Sequence, residues 1–362
     1  MSRIVIAPDS FKGTASAADA AAALSRGWHA VRPGDDVVLR PMADGGEGTI
    51  DAFAAAVPEA RHMPVTVRGP VSEPVGTHWL LLPDGSGVVE LAATSGITLL
   101  DPLAALDAHT AGFGEAIAAA LDHGVDRLLL ALGGSASTDG GVGALAVLGA
   151  RFLDASGRPI RLGNRGLGTL ARVDLSGLRS LPPRGAVILG DVDNPLLGAR
   201  GAAAVFGPQK GADAAAVDVL ESNLTRLARL LPADPQAPGS GAAGGTGFGL
   251  LAWGAQMGGG AGVVAEAIGL SGSLAGAAFV ITGEGRFDGQ TAAGKAPAEV
   301  VALARQLGVP VALAAGAIEA DPAMAGFAAS ASLSLLAGGA AAAMADTVHW
   351  LEQAGAELAR SV

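Results

Sequence analysis

Residues 289–297, GQTAAGKAP, come within one residue of the phosphate-binding pattern G-x-x-x-x-G-K-[ST]. Gly289, Gly294 and Lys295 fit, but Ala296 stands where a hydroxyl would ligate Mg²⁺. In a P-loop the first glycine follows directly on its strand, whereas the apolar run AAFVITG (277–283) ends six residues before Gly289. The segment is therefore expected to hold an anion by a different architecture. Lys295 sits at a helix start that Pro297 suits, because proline lacks the N–H that a first turn leaves unpaired.

Lysine usage supports an anionic ligand. The chain has 23 basic residues, and only Lys12, Lys210 and Lys295 are lysines. Each adjoins glycine, in FKG, QKG and GKA. Lysine is a compact point charge suited to phosphate, whereas the planar fork of arginine asks for other geometry. Lys12 and Lys295 read as anion-handling groups; Lys210 stays open between that role and an incidental loop position.

Carboxylates recur in the glycine- or proline-containing segments that follow strand-like runs: Asp9, Asp44 with Glu47, Asp139, Asp191 with Asp193, and Glu284 with Asp288. Glycine lets backbone N–H groups approach an anion, and a following helix N-terminus adds positive potential. Carboxylates there would repel phosphate unless they bind Mg²⁺ or take a proton from an attacking hydroxyl. Asp before Gly is also a common turn pairing, so no single loop decides. Five such loops accompanied by lysines point to phosphoryl chemistry.

The elements that must position these loops alternate. IVIAP (4–8) leads to a helix from about Ser16, its N-cap, to Val31; DVVLR (36–40) leads to a helix near 48–57. DRLLLAL (126–132), GAVILG (185–190), AAFVITG and VPVALAAG (309–316) are further apolar strands. Continuous apolar strands joined through helices predict parallel sheets covered on both faces, with ligands at the carboxyl edge. Residues 61–100 are broken by Gly and Pro and suggest a mixed or antiparallel sheet. Residues 232–247 read as a linker or lid, and 331–336 as a buried strand before an alanine-rich helix.

Composition excludes several classes. Half the residues are hydrophobic, which argues against disorder despite Gly 55 and Pro 20. A net charge of −11 argues against nucleic acid or an anionic membrane as partner. No cysteine is present, so disulfides and thiolate metal sites are absent. The N-terminus MSRIVIAPDS is too short in apolar residues for a signal peptide. The uncharged stretch between Asp321 and Asp346 holds few strongly apolar residues and reads as globular, not membrane-spanning. Six histidines lack metal-ligand spacing, Ser135 lacks a nucleophile elbow, and GGTGFG (244–249) follows no strand. The four tryptophans read as core.

IAPDSFKGT, PMADGGEGT, GGSASTDGG, DVDNPLLG with AAAVFGPQKGA, and TGEGRFDGQTAAGKAP resemble the signature segments of the glycerate kinase family typified by bacterial glycerate 2-kinases. The resemblance runs in order from about Arg3 to Gly316. It implies an α/β protein of two domains: a flavodoxin-like parallel-sheet domain (1–69 and 286–362) and an inserted mixed-sheet α/β domain (70–285). It also implies ATP-dependent phosphorylation of D-glycerate with Mg²⁺ in the cytoplasm, the chain acting as monomer or homodimer. Thr138, Gly190 and Ala293 depart from the Asn, Cys and His usual in the family.

On this basis direct in-line transfer of a γ-phosphoryl group is expected, in a cleft lined by Gly/Asp/Lys loops. Lys12 and Lys295 would neutralise charge; Asp191 is the first candidate for base and Asp44 the second. Ligand-binding candidates are Ser10, Phe11, Gly45, Gly46, Gly133, Gly134, Ser135, Asp139, Asn194, Gly283, Glu284, Gly285 and Arg286, with Glu284 and Asp288 for the metal. Glycine N–H groups in 45–46, 133–134 and 283–285 would cradle phosphate oxygens. The product expected is 2-phosphoglycerate. A kinase for another small hydroxy acid and a non-catalytic nucleotide-binding protein stay open.

Overall fold

A computed structural model describes residues 2–288 and 296–361. Its strands are β1 (Arg3–Pro8), β2 (Asp36–Leu39), β3 (Arg61–Arg68), β4 (Pro74–Leu81), β5 (Ser86–Glu90), β6 (Arg127–Ala131), β7 (Arg151–Leu153), β8 (Arg172–Asp174), β9 (Ala186–Gly190), β10 (Gln256–Gly259), β11 (Phe279–Phe287), β12 (Val311–Ile318) and β13 (Ala329–Ser332). They divide between two compact units. One comprises residues 1–44, 51–58 and 259–362, and the other 45–50 and 59–258.

The first unit is built on a five-stranded sheet in the order β13-β12-β11-β1-β2, every described pair parallel. Counted within the unit, that is the flavodoxin-like order 2-1-3-4-5, with its switch point between β1 and β11. β1 and β11 are buried along most of their length, as the apolar runs IVIA and FVI in them require. Ser16 caps the helix Ala17–Val31 by accepting a hydrogen bond from the Asp19 N–H. The buried side of that helix is alanine, Leu24 and Trp28, and the Trp28 ring stacks on Phe279 with centroids 6.1 Å apart. Small residues matter here because the helix Thr347–Ser361 lies directly against it. A Cβ on Gly27 would fall 1.9 Å from the Glu352 carbonyl oxygen, and one on Gly355 2.3 Å from that of Leu24.

The second unit has a six-stranded sheet in the order β10-β9-β6-β5-β4-β3. β3-β4-β5 are antiparallel and β5-β6-β9 parallel, giving the mixed sheet expected where Gly and Pro interrupt the sequence. Its core includes Trp79, Phe113, Leu130, Leu145 and Phe248.

Several expectations are corrected. β11 does not stop at Gly283 but runs to Phe287, and its pairing with β1 places it in the first unit. The compact units divide the chain after residues 44, 50, 58 and 258, whereas the family resemblance implies boundaries near 70 and 285. The same extension removes the spacing argument against a P-loop, since Gly289 follows the strand end by two residues. Gly289, Ala293, Gly294 and Lys295 lie outside the described residues. Ala296, fully buried at the start of the helix Ala296–Leu307, has no hydroxyl for a metal. Leu333–Leu336 is a helical turn after the short strand β13, with Leu335 exposed. Residues 232–247 are not a free linker: Ser240 and Thr246 are fully buried, and 242–253 form a kinked helix. Trp28, Trp79 and Trp253 are buried, while Trp350 is partly exposed. Among the described residues no helix is long and apolar enough to cross a membrane.

Because overpacking a closely apposed helix pair costs roughly 1–3 kcal/mol, Gly27→Ala and Gly355→Ala are each expected to lower the urea midpoint clearly. Gly34→Ala, where a Cβ meets no atom within 4 Å, is the control and should leave it unchanged.

Candidate active site

The switch point of the first unit gathers the N-terminal loop and the end of β11. Asp9 follows β1; its N–H donates to the Gly283 carbonyl at 2.8 Å and its Oδ1 accepts from the Ser10 N–H at 2.6 Å. Phe11 N–H then donates to the Ala15 carbonyl and Thr14 Oγ1 to that of Phe11, closing a tight turn. This turn buries Phe11 in the core and puts Lys12 outward, its side chain 81% exposed and its Nζ 3.9 Å from Asp44 Oδ2. Phe11, expected against ligand, is instead the anchor of the loop that displays Lys12.

Glu284 is buried within β11, and Arg286 pairs with Glu319 and, at 3.8 Å, with Asp288. Gly283 and Gly285 belong to the same strand, so they are strand positions and not a free anion-binding turn. Burial raises the Asp9 carboxyl to about 7, helped by the negative charges of Asp44 and Glu284 and opposed by the Ser10 N–H and Lys12. A carboxyl in that range can hold or release a proton at neutral pH. Asp9 was visible in the sequence only as one carboxylate among many. Its distinguishing feature is the partial burial of its carboxyl beside Asp44 and Glu284, which no local pattern discloses.

The second unit has its own loop cluster at the carboxyl ends of β5, β6 and β9. Gly133 N–H donates to the Gly45 carbonyl at 2.9 Å, and Ile97 N–H to that of Gly134. Gly133 N–H is thus spent within the protein and is not available to a phosphate. Glu90, which the sequence did not single out, ends β5 and accepts from the N–H groups of Gly48 (3.1 Å) and Ile50 (3.0 Å). It holds the segment containing Gly45 and Gly46. A carboxylate interrupting an apolar strand was the available signal.

Asp139 is also corrected. It is fully buried, and its two oxygens accept from the N–H groups of Thr110, Gly141 and Gly143 and from Thr110 Oγ1. Such a saturated carboxylate anchors two chain segments and has no face for a ligand. Asp191 is exposed after β9, Asp193 pairs with Arg200, and Asn194 donates to the Arg200 carbonyl at 2.7 Å. Lys210 is buried, not a loop cation: its Nζ donates to Ser135 Oγ at 2.7 Å and to the Ser137 carbonyl at 2.5 Å. Burial of its ammonium lowers it to about 7, against a raising effect of Asp139. His109 is buried and hydrogen-bonded to Ser72, and burial is the main cause that lowers its pKa. Among the described residues no three His, Asp or Glu assemble as a metal cluster.

A 2-1-3-4-5 parallel sheet with a lysine and carboxylates at its switch point is an α/β architecture of the kind that generally binds ligands at its carboxyl edge. The chain matches the glycerate kinase family over residues 4–362 and belongs to it. It is accordingly an enzyme of the kinase class. It is 44% identical over 329 residues to a glycerate kinase of Bacillus subtilis (strain 168), covering 88% of this chain and 86% of that one. It is 40% identical over 333 residues to the glycerate 2-kinase of Escherichia coli (strain K12), covering 88% and 86%. A crystal structure from Salmonella typhimurium LT2, described as glycerate kinase 2, superposes with a TM-score of 0.86 at 39% identity, covering 99% and 98%.

The Asp9 carboxyl supplies a test. With a folded value near 7 against 3.8 for the ordinary group, its ionisation costs folding free energy. That cost is absent below about pH 4, grows as pH rises, and levels off above about 7. In metal-free buffer Asp9→Asn should therefore gain stability over wild type progressively across that window, as read by urea unfolding at several pH values. A pH-independent difference would show that Asp9 is not raised.

Proposed function

We propose that the protein transfers the γ-phosphoryl group of ATP to D-glycerate, forming 2-phosphoglycerate. The observation that carries this reading is the grouping of Asp9, Lys12, Asp44 and Glu284 around the β1–β11 switch point, in a chain of the glycerate kinase family. The names of the Bacillus and Escherichia relatives, glycerate kinase and glycerate 2-kinase, support the substrate class, and the second supports the 2-position. A kinase for another small hydroxy acid is the second reading, favoured only by the departures at Thr138, Gly190 and Ala293.

Phosphoryl transfer of this kind needs alignment and charge stabilisation more than covalent chemistry. Lys12, exposed and close to one carboxylate, would meet phosphate or carboxylate oxygens as a point charge. Lys295 and Arg286 would add to it. Asp191 is our first candidate to accept the glycerate hydroxyl proton and Asp44 the second; Asp9, near neutrality, is a third group able to take it. Ser10, Ser135, Asn194 and the glycines 45, 46 and 134 would orient the ligands. Mg²⁺ is commonly held by one or two carboxylates plus substrate phosphates. Glu284 or Asp288 would hold it singly, because four residues along an extended strand span roughly 13 Å, too far for both to reach one ion. When bound it would neutralise phosphate charge. We further propose that the enzyme works in the cytoplasm on small molecules, as monomer or homodimer.

The purified protein should release ADP from ATP with D-glycerate and Mg²⁺, EDTA should stop it, and phosphorus NMR should show 2-phosphoglycerate. Turnover of a different hydroxy acid alone, or a 3-phosphoglycerate signal, would refute the corresponding part. Lys12→Arg keeps the charge but moves it. A drop in kcat on the order of tenfold to a hundredfold is expected, somewhat less than the 10²–10³ typical for losing a charge-stabilising group. Wild-type kinetics in Lys12→Arg would remove this lysine from the machinery.

A further inference from the structure

The lysine of the QKG segment lies inside the second unit, enclosed by protein. Lys210 ends a short helical turn, Pro208–Lys210, and only 2% of the residue is exposed. Burying an ammonium is costly unless its hydrogens are used. Two of them are: Nζ donates to Ser135 Oγ at 2.7 Å and to the Ser137 carbonyl at 2.5 Å. The recess for Nζ is built by the kinked segment around Gly244, which has φ +66°. A Cβ there would lie 2.1 Å from the Ser137 carbonyl oxygen and 2.9 Å from Nζ. A lysine, a loop and a left-handed glycine from three parts of the chain thus meet at one ammonium.

The consequence is for Ser135. An ammonium has no acceptor, so a Ser135 oxygen that accepts from it must direct its own O–H elsewhere. Ser135 is 7% exposed and adjoins the exposed Gly134, so the loop surface is the side from which a ligand could meet that O–H. In the same loop Ser137 Oγ and Thr138 Oγ1 are fully buried with no hydrogen-bond partner among the described residues, so its polar capacity is not exhausted internally. We propose that Lys210 is a positioning residue whose buried ammonium turns the Ser135 hydroxyl outward as a donor for an anionic oxygen of the ligand, phosphate or carboxylate. This rests on the reading of Ser135 as a ligand-binding residue.

Titration would switch the device. Burial lowers Lys210 to about 7, and Asp139, itself saturated by Thr110, Gly141 and Gly143, is the charged group that bears on it. Once neutral, the amine can accept a hydrogen bond, and the Ser135 O–H can turn inward to it. Affinity for the anion should then fall as pH rises through about 7 to 8.

The test is calorimetric titration of the full chain with ADP and, separately, with D-glycerate at pH 6.5 and 8.5. Wild type, Lys210→Met, Ser135→Ala and the double variant are compared, with thermal unfolding as the check of folding. Loss of a hydrogen bond to a charged ligand is commonly worth about tenfold in affinity. Lys210→Met should therefore weaken one of the two ligands about tenfold, leave the other unchanged, and abolish the excess pH dependence. Adding Ser135→Ala should do no further harm. Weakening confined to ADP assigns the anion to phosphate; weakening confined to D-glycerate assigns it to carboxylate. Unchanged affinities in a folded Lys210→Met, or additive losses in the double variant, would overturn the proposal. Should Lys210→Met fail to fold, Ser135→Ala and the wild-type pH profile decide. An affinity that is pH-independent relative to Ser135→Ala overturns the proposal. Binding assays read this inference even if D-glycerate is not phosphorylated, so its failure and that of the proposed function are separable.

Discussion

The ladder between β1 and β11 joins the start of the chain to a segment hundreds of residues later. Ile4 pairs with Phe279 and Pro8 with Gly283, and Thr282 Oγ1 donates to the Ala7 carbonyl at 2.8 Å. Everything at the switch point follows from this register. It sets the Asp9 N–H on the Gly283 carbonyl, brings Glu284 close enough to act on Asp9, and leaves the Phe11–Ala15 turn to carry Lys12 into solvent. Sliding the ladder by one residue would reverse which side chains face each sheet surface. The charge cluster would then have no common location.

The protein handles charge partly or wholly removed from water in three ways, and the differences are informative. Asp139 is saturated by four donors, so its charge serves architecture. Asp9 has one backbone donor and two neighbouring carboxylates, so its charge is costly and its proton is held to near neutrality. Lys210 has two neutral acceptors and one carboxylate acting on it, so it too is moved toward neutrality, from the other side. Groups whose ionised form is poorly compensated are those that can change state in the working range of an enzyme. Saturation distinguishes the structural carboxylate from the other two.

The glycine content has a matching explanation. At Gly27, Gly355 and Gly244 a side chain would collide with backbone or, at Gly244, with Lys210 Nζ. These are close approaches between segments distant in sequence, not only loose turns. The stretch 232–247, rich in Gly and Pro, looked like a linker for the same reason that it packs well. Without side chains, its backbone can come near the loop that holds Ser137 and Thr138.

The sequence alone was enough for the alternating strands and helices, the Ser16 cap, the mixed character after residue 61 and the family, because these rest on local periodicity and contiguous motifs. Among the described residues, lysine rarity also marked Lys12 as an anion-handling group and left the role of Lys210 open. Tertiary structure decided which carboxylates are spent and which are poised, since Asp9, Asp139 and Asp191 look alike beside their turns yet differ in burial and donors. It also decided that β11 runs on to Phe287, where pairing with Ile318 of β12 extends a strand that its glycines had seemed to end. And it separated the two lysines, one 81% exposed and one almost wholly enclosed. The physical reason is common to all three. Protonation, strand length and exposure depend on groups brought close by folding, and those groups lie far away along the chain.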